Sequence, residues 1–157
     1  MDNSSKMSWP DRVNILGVGI NATEPGEALA LLKSRIHDHR KGYVCLTGVH
    51  GIMESQKSDE LRRIQNCSLL CLPDGMPTVW IGRLQGSPKI RRVYGPDFML
   101  KVCEDSVKSG HTHFLYGGKP GVAEKLKKEL EIRFPGIQIV GTMTPPFRPL
   151  SGPEEAE

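Results

Sequence analysis

The chain has 157 residues, 38% hydrophobic and 25% charged, the make-up of one soluble globular domain large enough to bury a core. Its 21 basic and 18 acidic residues leave a net charge of +3, too mild and too evenly spread for the electrostatic footprint of a nucleic-acid binder. No apolar run reaches the length of a membrane span, and the opening Met1-Asp-Asn-Ser-Ser-Lys6 lacks the basic-then-apolar order of a signal peptide, so a cytoplasmic location is expected.

After a polar leader over residues 1–12, Val13-Asn-Ile-Leu-Gly-Val-Gly-Ile20 has the apolar content and glycine ending of a buried strand. Thr23 is placed to cap a helix with Pro25 in its first turn, and Ala28, Leu31, Leu32 and Ile36 recur at helical spacing until Gly42. Tyr43-Val-Cys-Leu-Thr47 predicts a second strand, and residues 52–66 predict one helix. Ser68-Leu-Leu-Cys-Leu72 predicts a third strand, Pro77 opens a further helix, and Asp97 is placed to cap another that runs to Ser109. Thr112-His-Phe-Leu-Tyr116 reads as a strand, Gly117-Gly-Lys-Pro-Gly121 as a loop, residues 122–134 as an amphipathic helix, and Ile137-Gln-Ile-Val140 as the last strand. The proline-bearing acidic stretch over residues 149–157 is expected to be a disordered tail. Strands alternating with helices predict an α/β, Rossmann-like fold: a parallel sheet with helices on both faces and ligands beyond the carboxyl ends of the strands.

That rule directs attention to four loops. Asp74 directly follows an apolar strand and precedes Gly75, so its carboxylate stands at the mouth of the sheet, able to take a proton from a hydroxyl, while the glycine lets a ligand approach the backbone. Taken alone, Pro73-Asp74-Gly75 also reads as a plain turn. Gly117, Gly118 and Gly121 with Lys119 offer backbone N–H groups, a helix N-terminus and a point charge for a phosphate, or else simply a tight turn. Thr47 and His50 offer a hydroxyl and an imidazole for a sugar or a diphosphate, although Thr47 could instead cap a helix. Arg92, beside Arg91, could neutralise a phosphate or be a solvated surface. The pairs His37/His39 and His111/His113 lack supporting carboxylates and are expected to be solvated. Cys45, Cys67, Cys71 and Cys103 lack paired spacing and are expected to be buried, reduced thiols, with neither a zinc site nor disulfides. No D-x-D triplet is present, so no metal and no cofactor are expected, and a leaving diphosphate would be stabilised by helix N-termini and basic side chains.

In chain order, Val13-Asn-Ile-Leu-Gly-Val-Gly-Ile-Asn21, Thr47-x-x-His50, Leu72-Pro-Asp-Gly75, Arg92-Val-Tyr-Gly-Pro-Asp97, Phe114-Leu-Tyr-Gly-Gly-Lys-Pro-Gly-Val-Ala123 and Ile139-Val-Gly-Thr142 resemble the WecG/TagA/CpsF glycosyltransferase family. That family includes the teichoic-acid and enterobacterial-common-antigen N-acetylmannosamine transferases. The resemblance implies an inverting transfer of a sugar, typically N-acetylmannosamine, from a UDP-sugar donor onto a polyprenyl-diphosphate-linked N-acetylglucosamine acceptor. The reaction would take place at the cytoplasmic membrane face, in cell-surface polysaccharide synthesis. It makes Asp74 the catalytic base and Thr47 its orienting neighbour, with Arg92, Gly117 and Gly118 around the nucleotide-sugar pocket. Contacts from Lys119 and Gly121 follow instead from charge and position, as do those from Gly75 and His50.

Two departures stand out. The family usually has asparagine or a similar small polar residue near His50. It also continues beyond Pro145-Pro-Phe147 into a strand with a Gly-x-Pro-x-Gln-Glu motif and a basic membrane-binding appendage. The expected domain is therefore residues 13–148, without that C-terminal part, weakly attached to membranes and with a homo-oligomer left open. The rival reading is a non-catalytic nucleotide-sugar-binding homologue or partner subunit. A dinucleotide-dependent oxidoreductase fits less well, because Gly17-x-Gly19 is followed by Ile20-Asn-Ala22 where a third glycine should fall.

Overall fold

The computed structural model describes residues 11–146 and 148. Residues 1–10 of the expected leader and the acidic tail over residues 149–157 lie outside that range. The chain divides into two compact units, one ending at Met99 and the other beginning at Leu100. The fold class is α/β, as expected from the alternation of elements.

In the first unit the expected opening strand is a β-hairpin. Strands β1 (Arg12–Ile15) and β2 (Val18–Asn21) pair antiparallel, with Ile15 opposite Val18. The two residues between them, Leu16 and Gly17, take φ of 50° and 83°, the positive values that a type I′ turn requires. Asn14 Oδ1 accepts the Gly17 N–H at 2.8 Å, and Asn66 clamps the returning strand by accepting from Gly19 N and donating to Gly17 O. The largely apolar run concealed this turn, because side chains of both short strands enter one core: Val13, Ile15, Val18 and Ile20, with Ile52, Cys71, Val79 and Ile90.

Helix α1 (Pro25–His37) starts one residue later than expected. Its cap is Glu24, whose carboxylate accepts the Glu27 N–H, while Thr23 is buried and its hydroxyl bonds the Glu27 carboxylate at 2.6 Å. Strand β3 (Val44–Thr47) is followed by two helices where one was expected, α2 (Val49–Glu54) and α3 (Asp59–Cys67). The break arises because the Ser58 hydroxyl accepts the Leu61 N–H and starts a new helix. Strand β4 (Leu70–Pro73) then pairs parallel with β3, Val44 opposite Leu70 and Thr47 opposite Pro73. Strand β2 runs beside β4, where the buried Asn21 side chain accepts the Cys71 N–H at 2.8 Å. Arg12 reaches the far end of α3, donating to Asn66 O and Ser68 O, where a cation suits the helix dipole. Helix α4 (Met76–Leu84) closes this part of the chain.

Helix α5 (Gly95–Ser109) begins two residues before Asp97, which sits in its first turn and is not the cap. In the second unit, β5 (Thr112–Tyr116), α6 (Val122–Arg133) and β6 (Gln138–Met143) form a β-α-β unit with parallel strands. Cys103, Leu130, Ile137 and Ile139 make its core. The register slips between His113 and Phe114, so that Phe114 stands opposite Gly141. A Cβ at Gly141 would come within 2.5 Å of the Phe114 ring, so the ring occupies the space the glycine leaves.

Candidate active site

The parallel register of β3 and β4 brings both chains out at the same edge. Asp74 N–H donates to Thr47 O at 3.1 Å, extending the ladder by one residue. Gly48 lies so close that a Cβ there would stand 2.7 Å from Asp74 O, which explains glycine at that position. At Gly75 the backbone is extended, with φ of 163°, and a Cβ would meet nothing closer than 3.8 Å. The local fold therefore does not demand glycine at 75. The Thr78 hydroxyl donates to Gly75 O at 2.7 Å and ties down the start of α4.

The segment after α4 holds the carboxylate. Ile90 and Val93 are fully buried, and Val93 N–H donates to Pro73 O at 2.9 Å, so Arg92 and Tyr94 are turned outward. Asp74 Oδ2 accepts the Gly95 N–H at 3.3 Å, and Arg92 Nη2 stands 3.7 Å from Asp74 Oδ1. The Arg92 guanidinium lies over the Tyr94 ring, 4.6 Å from its centroid. Two side chains thus meet at the strand edge, Asp74 and Arg92, and Gly48, Tyr94 and Gly95 join them. The signal for Tyr94 and Gly95 lay in Arg92-Val-Tyr-Gly-Pro-Asp97, from which only Arg92 was singled out.

Thr47 is buried, and its hydroxyl accepts from the Cys71 thiol at 3.2 Å. Burial pushes the Cys71 thiol up, which keeps the proton that makes it a donor. His50 is exposed on α2, one turn before Glu54; no bond joins it to Asp74 among the described residues.

The remaining expected residues belong to the second unit. Gly117, Gly118 and Gly121 have φ of 110°, 81° and 82°, a left-handed loop open to glycine and strained for other residues. Gly117 N–H donates to Met143 O at 2.8 Å and anchors the loop to β6. Val122 N–H is already used by Lys119 O at 3.0 Å, so the first amide of α6 is turned inward to the loop. The loop lines a cleft of about 1020 Å³ with Glu124, Thr144, Pro145 and Pro146. Sequence reading missed these four. Glu124 Oε1 accepts the Thr142 hydroxyl at 3.2 Å and puts a carboxylate in the same cleft as exposed Lys119.

Other expectations need correction. All four cysteines are free, and Cys67 is exposed at the end of α3. His113 is half-buried, with Nε2 2.7 Å from the Ser106 hydroxyl. Among the described residues no three His, Cys, Asp or Glu side chains cluster as metal ligands, and no helix is long and apolar enough to cross a membrane.

The model of the Glycosyl transferase WecG/TagA/CpsF family matches residues 13–157. An N-acetylglucosaminyldiphosphoundecaprenol N-acetyl-beta-D-mannosaminyltransferase of Bacillus spizizenii is 25% identical over 111 residues, 70% of this chain. That match spans 43% of the relative's own length. Since the family match takes in nearly the whole sequence, from the first strand through the Asp74 edge and the glycine loop, the chain belongs to the WecG/TagA/CpsF family of glycosyltransferases.

Proposed function

We propose that this chain transfers N-acetylmannosamine from a UDP-sugar to a polyprenyl-diphosphate-linked N-acetylglucosamine, with inversion and without a metal, at the inner membrane face. The relative's name supports the sugar and the lipid-linked acceptor. The observation that carries the reading is the position of Asp74, one residue past the end of β4 and hydrogen-bonded through its backbone to Thr47.

In the proposed reaction Asp74 takes the proton of the acceptor hydroxyl as its oxygen attacks the anomeric carbon. The new C–O bond forms on the side opposite the bond to the diphosphate, which breaks and releases UDP. Gly95 N–H and Arg92 hold the carboxylate in place, and Thr47 keeps the strand edge in register. In the second unit, taken by itself, Lys119 and the unengaged amides of the glycine loop are suited to a diphosphate, and Glu124 to accepting from sugar or ribose hydroxyls.

The test is turnover of UDP-N-acetylmannosamine with a lipid-diphosphate-linked N-acetylglucosamine. Asp74→Asn keeps the size and removes the base, so the rate should fall by about 10² to 10⁴ with UDP affinity nearly unchanged. Near-parental turnover would show that Asp74 is only a turn residue. A parent protein that binds UDP-sugar in calorimetry and never turns it over would favour the non-catalytic homologue.

A further inference from the structure

Helix α4 is apolar on two sides. Thr78, Val79 and Gly82 face inward and are buried, and Gly82 packs so tightly that a Cβ would come within 2.8 Å of Ile90 Cδ1. Outward, Met76, Trp80 and Leu84 follow at four-residue spacing with Ile81 alongside, and Trp80 and Leu84 are 56% and 88% exposed. A helix that is apolar all round is normally enclosed, and large apolar side chains sharing one stripe mark a surface that something else covers.

The charge along this stretch of the sequence points to what covers the stripe. Between Gly75 and Pro96 there is no Asp or Glu, while Arg83, Lys89, Arg91 and Arg92 are all exposed. Arg92 is engaged by Asp74; the other three take part in no ion pair among the described residues. A second copy of the same face would bring cations against cations. An anionic headgroup layer suits it on both counts, since it receives the cations while its acyl boundary takes the apolar side chains.

We propose that the outer face of α4 seats the chain on an anionic phospholipid surface, with Trp80 and Leu84 entering the interface and Arg83, Lys89 and Arg91 meeting lipid phosphates. An indole is suited to that depth, having an apolar body and one N–H for the wet side. One nine-residue helix bearing Arg83, with Lys89 and Arg91 in the segment after it, makes a weak, reversible contact. Because α4 starts at Met76, two residues after Asp74, such seating keeps Asp74 at the lipid surface. The proposal depends on surface chemistry alone and holds whether or not Asp74 is the base.

The experiment is co-sedimentation of the full chain with phosphatidylcholine vesicles, with and without phosphatidylglycerol, over a salt series. Binding should require the anionic lipid and weaken with salt. Trp80→Ser with Leu84→Ser should lower partitioning about tenfold or more, and Arg83→Gln with Lys89→Gln roughly fivefold per charge. Ile132→Ser, an exposed apolar site on α6, should change nothing. Equal binding by the Trp80/Leu84 variant, or equal binding to neutral vesicles, overturns the proposal. So does a dimer in sedimentation equilibrium that this variant dissolves while vesicle binding persists. If the variant misfolds by circular dichroism, bromolipid quenching of Trp80 in a Trp9→Phe chain decides, and absence of quenching overturns the proposal.

Discussion

Arg92 Nη2 stands 3.7 Å from Asp74 Oδ1 while the guanidinium plane rests on Tyr94, so one arginine is fixed on two sides, by a carboxylate and by a ring. The two charged side chains are 45% and 22% exposed, and solvent screens such a pair, so its contribution to stability is about 0–1 kcal/mol. Its value lies in position. Arg92→Gln should therefore move the urea midpoint little and, with Asp74 as the proposed base, lower turnover on the order of 10- to 100-fold, the cost of displacing such a group. Arg92→Lys should recover only part of that, because lysine keeps the charge and loses the planar stack. Equal losses of stability and turnover would make the pair a structural contact.

Two neighbouring glycines should respond in opposite ways. At Gly48 an added Cβ meets the Asp74 carbonyl at 2.7 Å, and Asp74 is bonded through its N–H to Thr47 O, so neither backbone can give way cheaply. Gly48→Ala should cost about 1–3 kcal/mol by urea denaturation. At Gly75 the nearest contacts are 3.8 Å away and the backbone is extended, so Gly75→Ala should stay within about 0.5 kcal/mol of the parent. Loss of turnover in a fully stable Gly75→Ala protein would point to ligand approach as the reason for that glycine. Comparable destabilisation by both substitutions would contradict this reading of the edge.

The edge was legible because its signals are local. An apolar run ending in Pro73-Asp74-Gly75 marks a strand exit whatever surrounds it, and the glycine loop over residues 117–121 is likewise a property of a short stretch. The serine that caps α3 at 58 is just as local and was passed over in favour of one continuous helix. What escaped was set by distance along the chain. The Leu16-Gly17 turn is held by Asn66, 47 to 49 residues away, and periodicity cannot register such a partner. The Thr47 hydroxyl is taken up by Cys71 across the parallel pair, and Glu124 meets Thr142 only because α6 and β6 return to the same place. Ser106 likewise reaches His113 across a helix-to-strand connection, turning an imidazole expected in solvent into a half-buried one.

That imidazole makes the stability pH-dependent. Burial pushes His113 below its ordinary value of 6.5, and His111 adds to the shift. A depressed histidine pKa means that the fold prefers the neutral ring, so the unfolded chain binds the proton first as pH falls. This contribution is complete above about pH 6.5 and is lost progressively below it. Thermal melts should thus show falling stability on acidification through this range, and His113→Asn should flatten the slope while leaving the neutral-pH melt close to the parent. An unchanged slope would assign the acid sensitivity to other groups.

The glycine loop supplies the last prediction. UDP carries its charge on the diphosphate, and the cleft offers two features of opposite sign, Lys119 in the loop and Glu124 in the first turn of α6. The Glu124 carboxylate is bonded by the Thr142 hydroxyl, so it is held in place and would repel a diphosphate set directly against it. Lys119 is exposed and precedes the helix N-terminus, where anions are favoured. If the diphosphate rests on the Lys119 side and hydroxyls of the ribose or the sugar face Glu124, the two residues should separate in calorimetry. Lys119→Ala should weaken UDP about five- to tenfold, the worth of one partly solvated charge-assisted bond. Glu124→Gln keeps an acceptor oxygen and removes the repulsion, so UDP affinity should stay the same or rise. If Lys119 and the unengaged loop amides meet the diphosphate unaided, EDTA should leave both titrations unchanged. A strict requirement for magnesium or manganese, or a large loss of UDP affinity in Glu124→Gln with none in Lys119→Ala, would place the diphosphate on a metal held by Glu124 and refute this assignment of the cleft.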